Sequence, residues 1–187
     1  EHYLQTRAVP VDLARLYFEE AVYRIDDHGT AREYRALAFA NDAGGYELRS
    51  PSFKGTLGSK AVRFIPATTL RPDAAVFEGA MDFVSALAHY GRERSDANVL
   101  VLNSTALIEK GLERLRDESL HTALTYFDHD GAGRHATHRF EEEGARYGVR
   151  IVRDMAGVYE GYGDFNEFLK AQQLKRYRAQ QRIERDD

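Results

Sequence analysis

The stretch TYFDHDGAGRHAT, residues 125–137, places two aspartates, Asp128 and Asp130, at the end of an apolar run and directly before a glycine turn. The residues that follow have the pattern of a helix. Because like charges one residue apart repel each other, the pair needs an explanation. One explanation is structural: the two aspartates form a turn with Gly131, and this explanation is favoured when the pair is considered alone. The other explanation is chemical: a divalent cation binds between the two carboxylates.

Short apolar strands and helices alternate on both sides of this stretch. The predicted strands are AAVFE (74–78), ANVLVLN (97–103), TALTYF (122–127) and VRIVRD (149–154). The predicted helices cover residues 79–91, 105–117, 132–148 and 164–185. This alternation is typical of an α/β domain with a parallel sheet whose two faces are covered by helices.

The front of the chain has a different pattern. The first 24 residues have the pattern of a helix. In the segment VPVDLARLYFEEAVYR (9–24), Pro10 stands near the start and the apolar residues at helical spacing are Val11, Ala14, Leu16, Phe18 and Val22. In residues 28–51 apolar positions alternate around the turn NDAGG, which predicts a hairpin. The segment FKGTLGSKAVRFIP (53–66) adds glycine bends and leaves room for another strand. We therefore expect a small α+β subdomain ahead of the parallel sheet.

Polar side chains follow the predicted strands at the edge where an open parallel sheet binds its ligands. They are Glu78 and Asp82 after the first strand, Asn103 and Ser104 after the second, Asp128 and Asp130 after the third, and Asp164 after the fourth. Asp164 is explained equally well as the N-cap of the last helix, and Asp82 as a capping, exposed or supporting residue. Glu78 has no such role, because a glutamate is poor strand material and caps nothing there.

Composition excludes several classes of site. The chain of 187 residues has no cysteine, so it contains no disulfide, thiolate zinc site or cysteine nucleophile. Apolar runs are too short to cross a membrane and no signal peptide is visible, which predicts a cytoplasmic location and no membrane partner. Residue 1 is Glu rather than Met, so we expect a piece of a longer chain. Residues 66–169 carry 11 cations against 18 acids, as a metal site would require before the metal binds.

Cationic residues concentrate in two other segments. Residues 49–63 contain Arg49, Lys54, Lys60 and Arg63 without an acid among them, which indicates either a phosphate-contact surface or an ordinary solvated hairpin. Phe53 and Tyr46, in the same region, could stack on bases, although core contacts are favoured. The last helix is basic through Lys170, Lys175, Arg176, Arg178, Arg182 and Arg185, and an exposed solubilising role is favoured. Arg134 is expected to pair with Asp128 or to contact phosphate.

Two motifs together resemble the Toprim domain in its bacterial-primase form. In VFEGAMDFVSAL (76–87) a Glu-Gly pair closes a strand and an aspartate follows four residues after the glutamate. In YFDHDGAGRHAT (126–137) the Asp-x-Asp pair precedes Ala-Gly-Arg. The front of the chain resembles the small subdomain that precedes Toprim in primases, particularly in Toprim-like proteins of mobile elements. The resemblance divides the chain into residues 1–68, 69–169 and a basic C-terminal helix, 170–187.

The resemblance implies a catalytic and metal-binding cluster of Glu78, Asp128 and Asp130. Asp82 and Asp164 match further acidic positions and are implied to be metal-binding residues for the same Mg²⁺ or Mn²⁺. The implied nucleic-acid or nucleotide contacts are Arg49, Lys54, Lys60, Arg63 and Arg134. The implied activity is nucleotidyl transfer from NTPs on single-stranded DNA, with a replicative helicase and a separate zinc-binding module as partners. Toprim nuclease or topoisomerase chemistry, and a DNA-binding module without catalysis, are the alternatives.

Overall fold

The structure of the protein, a computed structural model, describes residues 1–27 and 30–186, with side chains for residues 1–26 and 30–181. The basic side chains of Arg182 and Arg185, and residue 187, lie outside these described parts. The helices are α1 (His2–Thr6), α2 (Val11–Arg15), α3 (Ala80–His89), α4 (Ile108–Asp117), α5 (Gly131–Glu143) and α6 (Phe165–Asp186). The strands are β1 (Phe18–Asp27), β2 (Thr30–Ala40), β3 (Tyr46–Arg49), β4 (Lys54–Leu57), β5 (Arg63–Ile65), β6 (Asp73–Phe77), β7 (Asn98–Val101), β8 (Thr122–Tyr126) and β9 (Ile151–Asp154).

The first sheet is antiparallel, with the order β1-β2-β3-β4. The predicted hairpin is confirmed: β2 and β3 pair from Leu37 opposite Arg49 to Ala40 opposite Tyr46. Gly44 in the connecting turn has a φ of 74°, which a side chain with a Cβ rarely adopts. The turn residues therefore follow directly from the backbone geometry that the hairpin needs.

The helical prediction for the first 24 residues is wrong in the second half of the segment 9–24. It begins as expected, with Pro10 as the N-cap of α2, but α2 ends at Arg15 and β1 starts at Phe18. Leu16 and Val22, both placed on the buried face by the helical pattern, are 53% and 52% exposed. Pairing explains the difference, because β1 matches β2 residue by residue and so satisfies backbone groups that the short helix would not.

The second sheet has the order β5-β7-β6-β8-β9. Its strands β7, β6, β8 and β9 are parallel, which confirms the predicted α/β sheet, and β5 adds an antiparallel edge to β7. One face packs against α3 and α6, and the other packs against α4 and α5. Burial on both faces explains the nearly continuous apolar runs in β6 and β7.

The two sheets share one core. Phe18 of β1 and Phe39 of β2 belong to the same buried cluster as Phe83 of α3 and Phe165 of α6. This packing holds the first sheet next to the carboxyl ends of the parallel strands. Among the described residues, no helix is both long enough and apolar enough to span a bilayer.

Candidate active site

A cleft of about 370 Å³ lies between the first sheet and the carboxyl ends of β6 and β8. Its acidic wall comes from the segments after β6 and β8, from α3 and from the start of α6, and it consists of Glu78, Asp82, Asp128 and Asp164. Its cationic wall comes from the N-terminal segment and the first sheet and consists of Arg7, Arg49 and Lys54. Tyr3, Phe53, Asn103 and Asn166 also line it. The cleft thus brings four of the five predicted acids together and sets three cations opposite them.

Glu78 directly follows β6 and is half-buried in the cleft. Its Oε2 atom is buried and has no hydrogen-bond partner. Burial raises the pKa of Glu78, the charge of Asp130 raises it further, and Lys54 opposes the rise. A carboxylate oxygen without a partner is costly to bury, so this atom is placed for a proton or a cation.

Asp128 and Asp82 are perturbed in the same direction. Burial raises the pKa of Asp128 to about 7, with the charges of Glu78, Asp164 and Asp130 as further causes. Burial and the charges of Asp164 and Asp128 raise the pKa of Asp82 well above its usual range. The Oδ1 atom of Asp82 accepts a hydrogen bond of 3.2 Å from the backbone N–H of Asn166. These carboxyl groups therefore lie close enough together that the ionisation of one disfavours the ionisation of the others.

Asp130 and Asp164 begin helices. Asp130 is the N-cap of α5, where its Oδ1 accepts a 2.8 Å hydrogen bond from the backbone N–H of Gly133. The Oδ1 of Asp164 accepts a 2.6 Å hydrogen bond from the backbone N–H of Glu167, in the first turn of α6. Asp164 nevertheless lines the cleft, whereas Asp130 is exposed and acts on it through its charge. Each of these two aspartates thus caps a helix and also adds its negative charge to the acidic cluster.

Gly133 lets α5 start directly against the backbone of the acidic motif. A Cβ at this position would lie 2.0 Å from the carbonyl oxygen of Asp128 and 2.8 Å from its nitrogen. Such contacts are impossible without moving the helix. The glycine therefore sets how closely the end of β8 and the start of α5 can approach.

The five predicted cations divide into two groups. Arg49 and Lys54 line the cleft, and burial lowers the pKa of the Arg49 guanidinium although Glu47 is only 4.0 Å away. The other three, Lys60, Arg63 and Arg134, do not contribute to the cleft lining. Arg63 lies 3.5 Å from an oxygen of Asp42, and Arg134 donates to the carbonyl of His129 rather than to Asp128. Their nucleic-acid contacts remain predictions.

Arg7 and Asn166 are cleft residues that sequence reasoning missed. The Nη1 of Arg7 donates to Oδ1 of Asn166 at 3.1 Å, and Nδ2 of Asn166 donates to the carbonyl of Arg7 at 2.8 Å. Asn166 also donates to Oγ of Ser85 at 2.8 Å. The partners lie 159 positions apart in the chain. No local pattern signals such a contact, although Asn166 stands two residues after a predicted site residue.

The acidic wall suits a hard divalent cation in its chemistry. Its donors are carboxylate oxygens, which Mg²⁺ and Mn²⁺ prefer, and the unpartnered Oε2 of Glu78 is available to one. In their present positions, no three His, Cys, Asp or Glu side chains of the described part form a group that could hold a metal ion. The residues therefore fit the ion by donor type.

Two family models match the chain. One is a domain of unknown function (DUF8464), which matches residues 1–58, and the other is described as Toprim-like and matches residues 75–169. A comparison with curated proteins gives no match. The two matched ranges follow the two sheets of the fold, with β5 between them.

Solved primase structures share the fold. The primase fragment of the bacteriophage T7 primase-helicase protein is 17% identical, with a TM-score of 0.61 over 95% of this chain and 72% of that one. The Aquifex aeolicus primase, with its zinc-binding and RNA polymerase domains, is 18% identical, with a TM-score of 0.66 over 94% of this chain and 54% of that one. At such identities the likeness is one of fold.

A further match is a chain from a complex of the bacteriophage T7 lagging-strand DNA polymerase with primase domains, an RNA/DNA hybrid and dTTP. It is 16% identical, with a TM-score of 0.54 over 88% of this chain and 82% of that one. The Toprim-like match contains both acidic motifs and the parallel strands that carry them. Since that match extends over more than half of its residues, the chain belongs to the Toprim-like family.

Proposed function

We propose that the chain is a primase-like module that transfers nucleotides from NTPs to a growing RNA primer on single-stranded DNA. The observation that carries this proposal is the cleft beside the carboxyl ends of the parallel strands, which four carboxyl groups and three cations line. An acidic wall suits metal-bound phosphates, and a cationic wall suits the phosphates of a nucleotide or a strand. The shared fold with primase fragments supports the same chemistry.

The carboxyl groups would divide the work. Glu78 and Asp128 would hold the metal ion with Asp130, supported by Asp82 and Asp164. Bound Mg²⁺ or Mn²⁺ would neutralise charge on the triphosphate and lower the pKa of the attacking 3′-hydroxyl. Glu78 has a raised pKa, so the carboxyl oxygen that does not bind the metal ion is suited to accept the hydroxyl proton. Arg49 and Lys54 would position the phosphates from the opposite wall.

The proposal is tested by incubating the protein with single-stranded DNA, labelled NTPs and Mg²⁺ or Mn²⁺. We expect labelled oligoribonucleotides, and we expect Glu78→Gln to lower their yield at least a hundredfold, because it removes a proton acceptor and a metal ligand. Glu141→Gln, which changes an exposed glutamate of α5, is the matched control.

Other products would identify other functions. Nicked plasmid in place of primers would indicate a Toprim nuclease or topoisomerase activity. DNA binding without any product would indicate a non-catalytic module. Full primer synthesis by Glu78→Gln would contradict the assigned role of this residue.

The proposal extends to partners that a longer protein would provide. The chain spans 54% of the Aquifex primase chain, whose description includes a zinc-binding domain. We infer a zinc-binding module for template recognition and a replicative helicase as partners, acting in the cytoplasm on the DNA of a mobile element. Residues 1–68, 69–169 and 170–187 remain our proposed domain boundaries, although α6 runs without a break from Phe165 past residue 170.

A further inference from the structure

One face of the first sheet carries a small hydrophobic cluster that, in the described part of the chain, consists only of residues of this sheet and of the segment before β4. Its buried residues are Ala36, Ala38 and Leu48, and the partly buried residues packed on them are Ala21, Tyr23, Tyr46 and Phe53. All of them belong to β1, β2 and β3 or to the segment before β4. The opposite face, with Phe18 and Phe39, packs into the main core. The first face is therefore open to a ligand.

Aromatic rings form a row across this open face. The centroids of Phe53 and Tyr23 are 5.4 Å apart, and those of Tyr23 and Tyr34 are 5.6 Å apart with an interplanar angle of 23°. Tyr34 is 37% exposed. A Cβ on Gly55 would lie 2.4 Å from the ring of Phe53, so the glycine lets this ring lie directly on the sheet. We refer to Phe53, Tyr23 and Tyr34 as the aromatic row.

The outer part of the aromatic row lies on parts of β1 and β2 that extend beyond the residues paired with β3. β1 pairs with β2 from Phe18 to Asp27, but β3 pairs with β2 only at residues 37–40. The segments 22–27 and 30–35 thus form a two-stranded ribbon beyond the sheet, and such a ribbon is marginally stable in water without a packing partner. Its Ile25 is 42% exposed. A ligand bound along the row would stabilise the ribbon.

The inner end of the row meets the candidate active site. Phe53 lines the cleft, and so do the adjacent Lys54 and the nearby Arg49 of the cationic wall. A row of aromatic rings that begins beside cations suits single-stranded nucleic acid, whose bases stack on aromatic side chains while its phosphates contact basic ones. Binding of a protein partner would not require the aromatic row to continue into the cationic wall.

We propose that the aromatic row is a stacking platform for the unpaired bases of single-stranded DNA that leaves the cleft past Lys54. This proposal rests on the proposed function for the identity of the strand. It adds a binding surface outside the cleft, on the opposite side of Phe53. Tyr34 would stack on the base farthest from the acidic wall.

The test measures DNA binding by fluorescence anisotropy in EDTA, without NTPs. The probes are a labelled oligothymidylate and an abasic strand of the same length and charge. We expect the protein to prefer the strand with bases, and Tyr34→Ala to weaken its binding at least about fivefold while the abasic strand binds as before. Tyr34→Phe should bind like the unchanged protein. Tyr177→Ala, at a tyrosine of α6 that is 62% exposed, is the control.

Tyr34→Leu separates stacking from strand stability, because leucine keeps apolar contacts on the ribbon but has no aromatic face. A loss with Tyr34→Leu equal to that with Tyr34→Ala supports the platform. Unchanged binding by both variants, or equal losses for the two probes, would overturn it. A change only in self-association, measured by sedimentation, would also overturn it. Because the assay involves no metal or catalysis, failed primer synthesis by the unchanged protein would leave this result intact.

Discussion

Asp128 shows how the acidic site opposes the stability of the fold. Its pKa is raised to about 7 by burial and by the neighbouring charges of Glu78, Asp164 and Asp130. In an unfolded chain an aspartate has a pKa of about 3.9. Between these two pH values the folded protein binds more protons than the unfolded chain. The free energy of unfolding should therefore fall as the pH rises from about 4 to about 7.

We predict that Asp128→Asn stabilises the metal-free protein at pH 8. The expected gain is about 1–2 kcal/mol in the free energy of unfolding, since water screens part of the repulsion at this half-buried group. Urea denaturation in EDTA at pH 5 and pH 8 measures it, and the gain should be smaller at pH 5, where the folded protein keeps Asp128 protonated. Added Mg²⁺ should stabilise the unchanged protein more than the variant. A variant that is less stable at pH 8 would contradict the prediction.

The acidic wall was predictable from sequence, whereas the cationic wall was predictable only in part. Glu78 and Asp128 follow buried strands, and parallel strands bring their carboxyl ends to one edge, so spacing along the chain was sufficient. Arg49 and Lys54 lie next to Lys60 and Arg63 in sequence, and composition alone could not separate those that reach the cleft. Arg7 depends on a partner 159 positions away, which no window of local sequence contains.

Among the elements, the junction of β8 and α5 is the one where backbone packing sets the geometry of the acids. Gly133→Ala would place a Cβ 2.0 Å from the carbonyl oxygen of Asp128, so α5 must move away from the motif. We predict a loss of about 1–3 kcal/mol in the free energy of unfolding, as for other overpacked sites, together with loss of primer synthesis. Thermal denaturation and the primer assay measure the two effects.

The matched control for this junction is Gly131→Ala, at the first residue of α5. No heavy atom lies within 4 Å of a Cβ built there, and its φ is not positive. Alanine should be tolerated or should stabilise slightly by up to about 1 kcal/mol, because it has less freedom in the unfolded chain. Equal losses for the two variants would show that the close approach to Asp128 has no special role.

The wrong helix prediction at β1 also has its physical origin in how elements pair. Phe18, Val22 and Ile25 fit a helical spacing, but each is also a good strand residue, and a short window does not distinguish the two. Pairing with β2 decides the outcome, and that pairing is a property of the hairpin rather than of residues 18–25. The strands and helices after residue 73 were predictable because short strand-like runs alternate with segments of helical spacing, and because glycines such as Gly91 and Gly148, whose φ values are positive, mark helix ends.

In the whole molecule, Asn166 joins the N-terminal segment to the acidic wall. Its side chain exchanges hydrogen bonds with Arg7 and donates to Ser85 of α3, and its backbone N–H donates to Asp82. The residue is 1% exposed, so its side chain makes these hydrogen bonds away from water. The connection therefore couples the position of Arg7 in the cationic wall to that of Asp82 in the acidic wall.

We predict that Asn166→Ala lowers the free energy of unfolding by about 2–3 kcal/mol, because it removes three hydrogen bonds of a buried side chain, two with Arg7 and one with Ser85. Urea denaturation gives the value. Gln173→Ala is the matched control, since its Nε2 donates to the carbonyl of the neighbouring Ala8 at 2.7 Å but its side chain is exposed. Water can replace that bond, so the control should lose less than about 1 kcal/mol. Equal effects of the two substitutions would mean that burial at Asn166 adds nothing, and that the two walls of the cleft are held together by the shared apolar core alone.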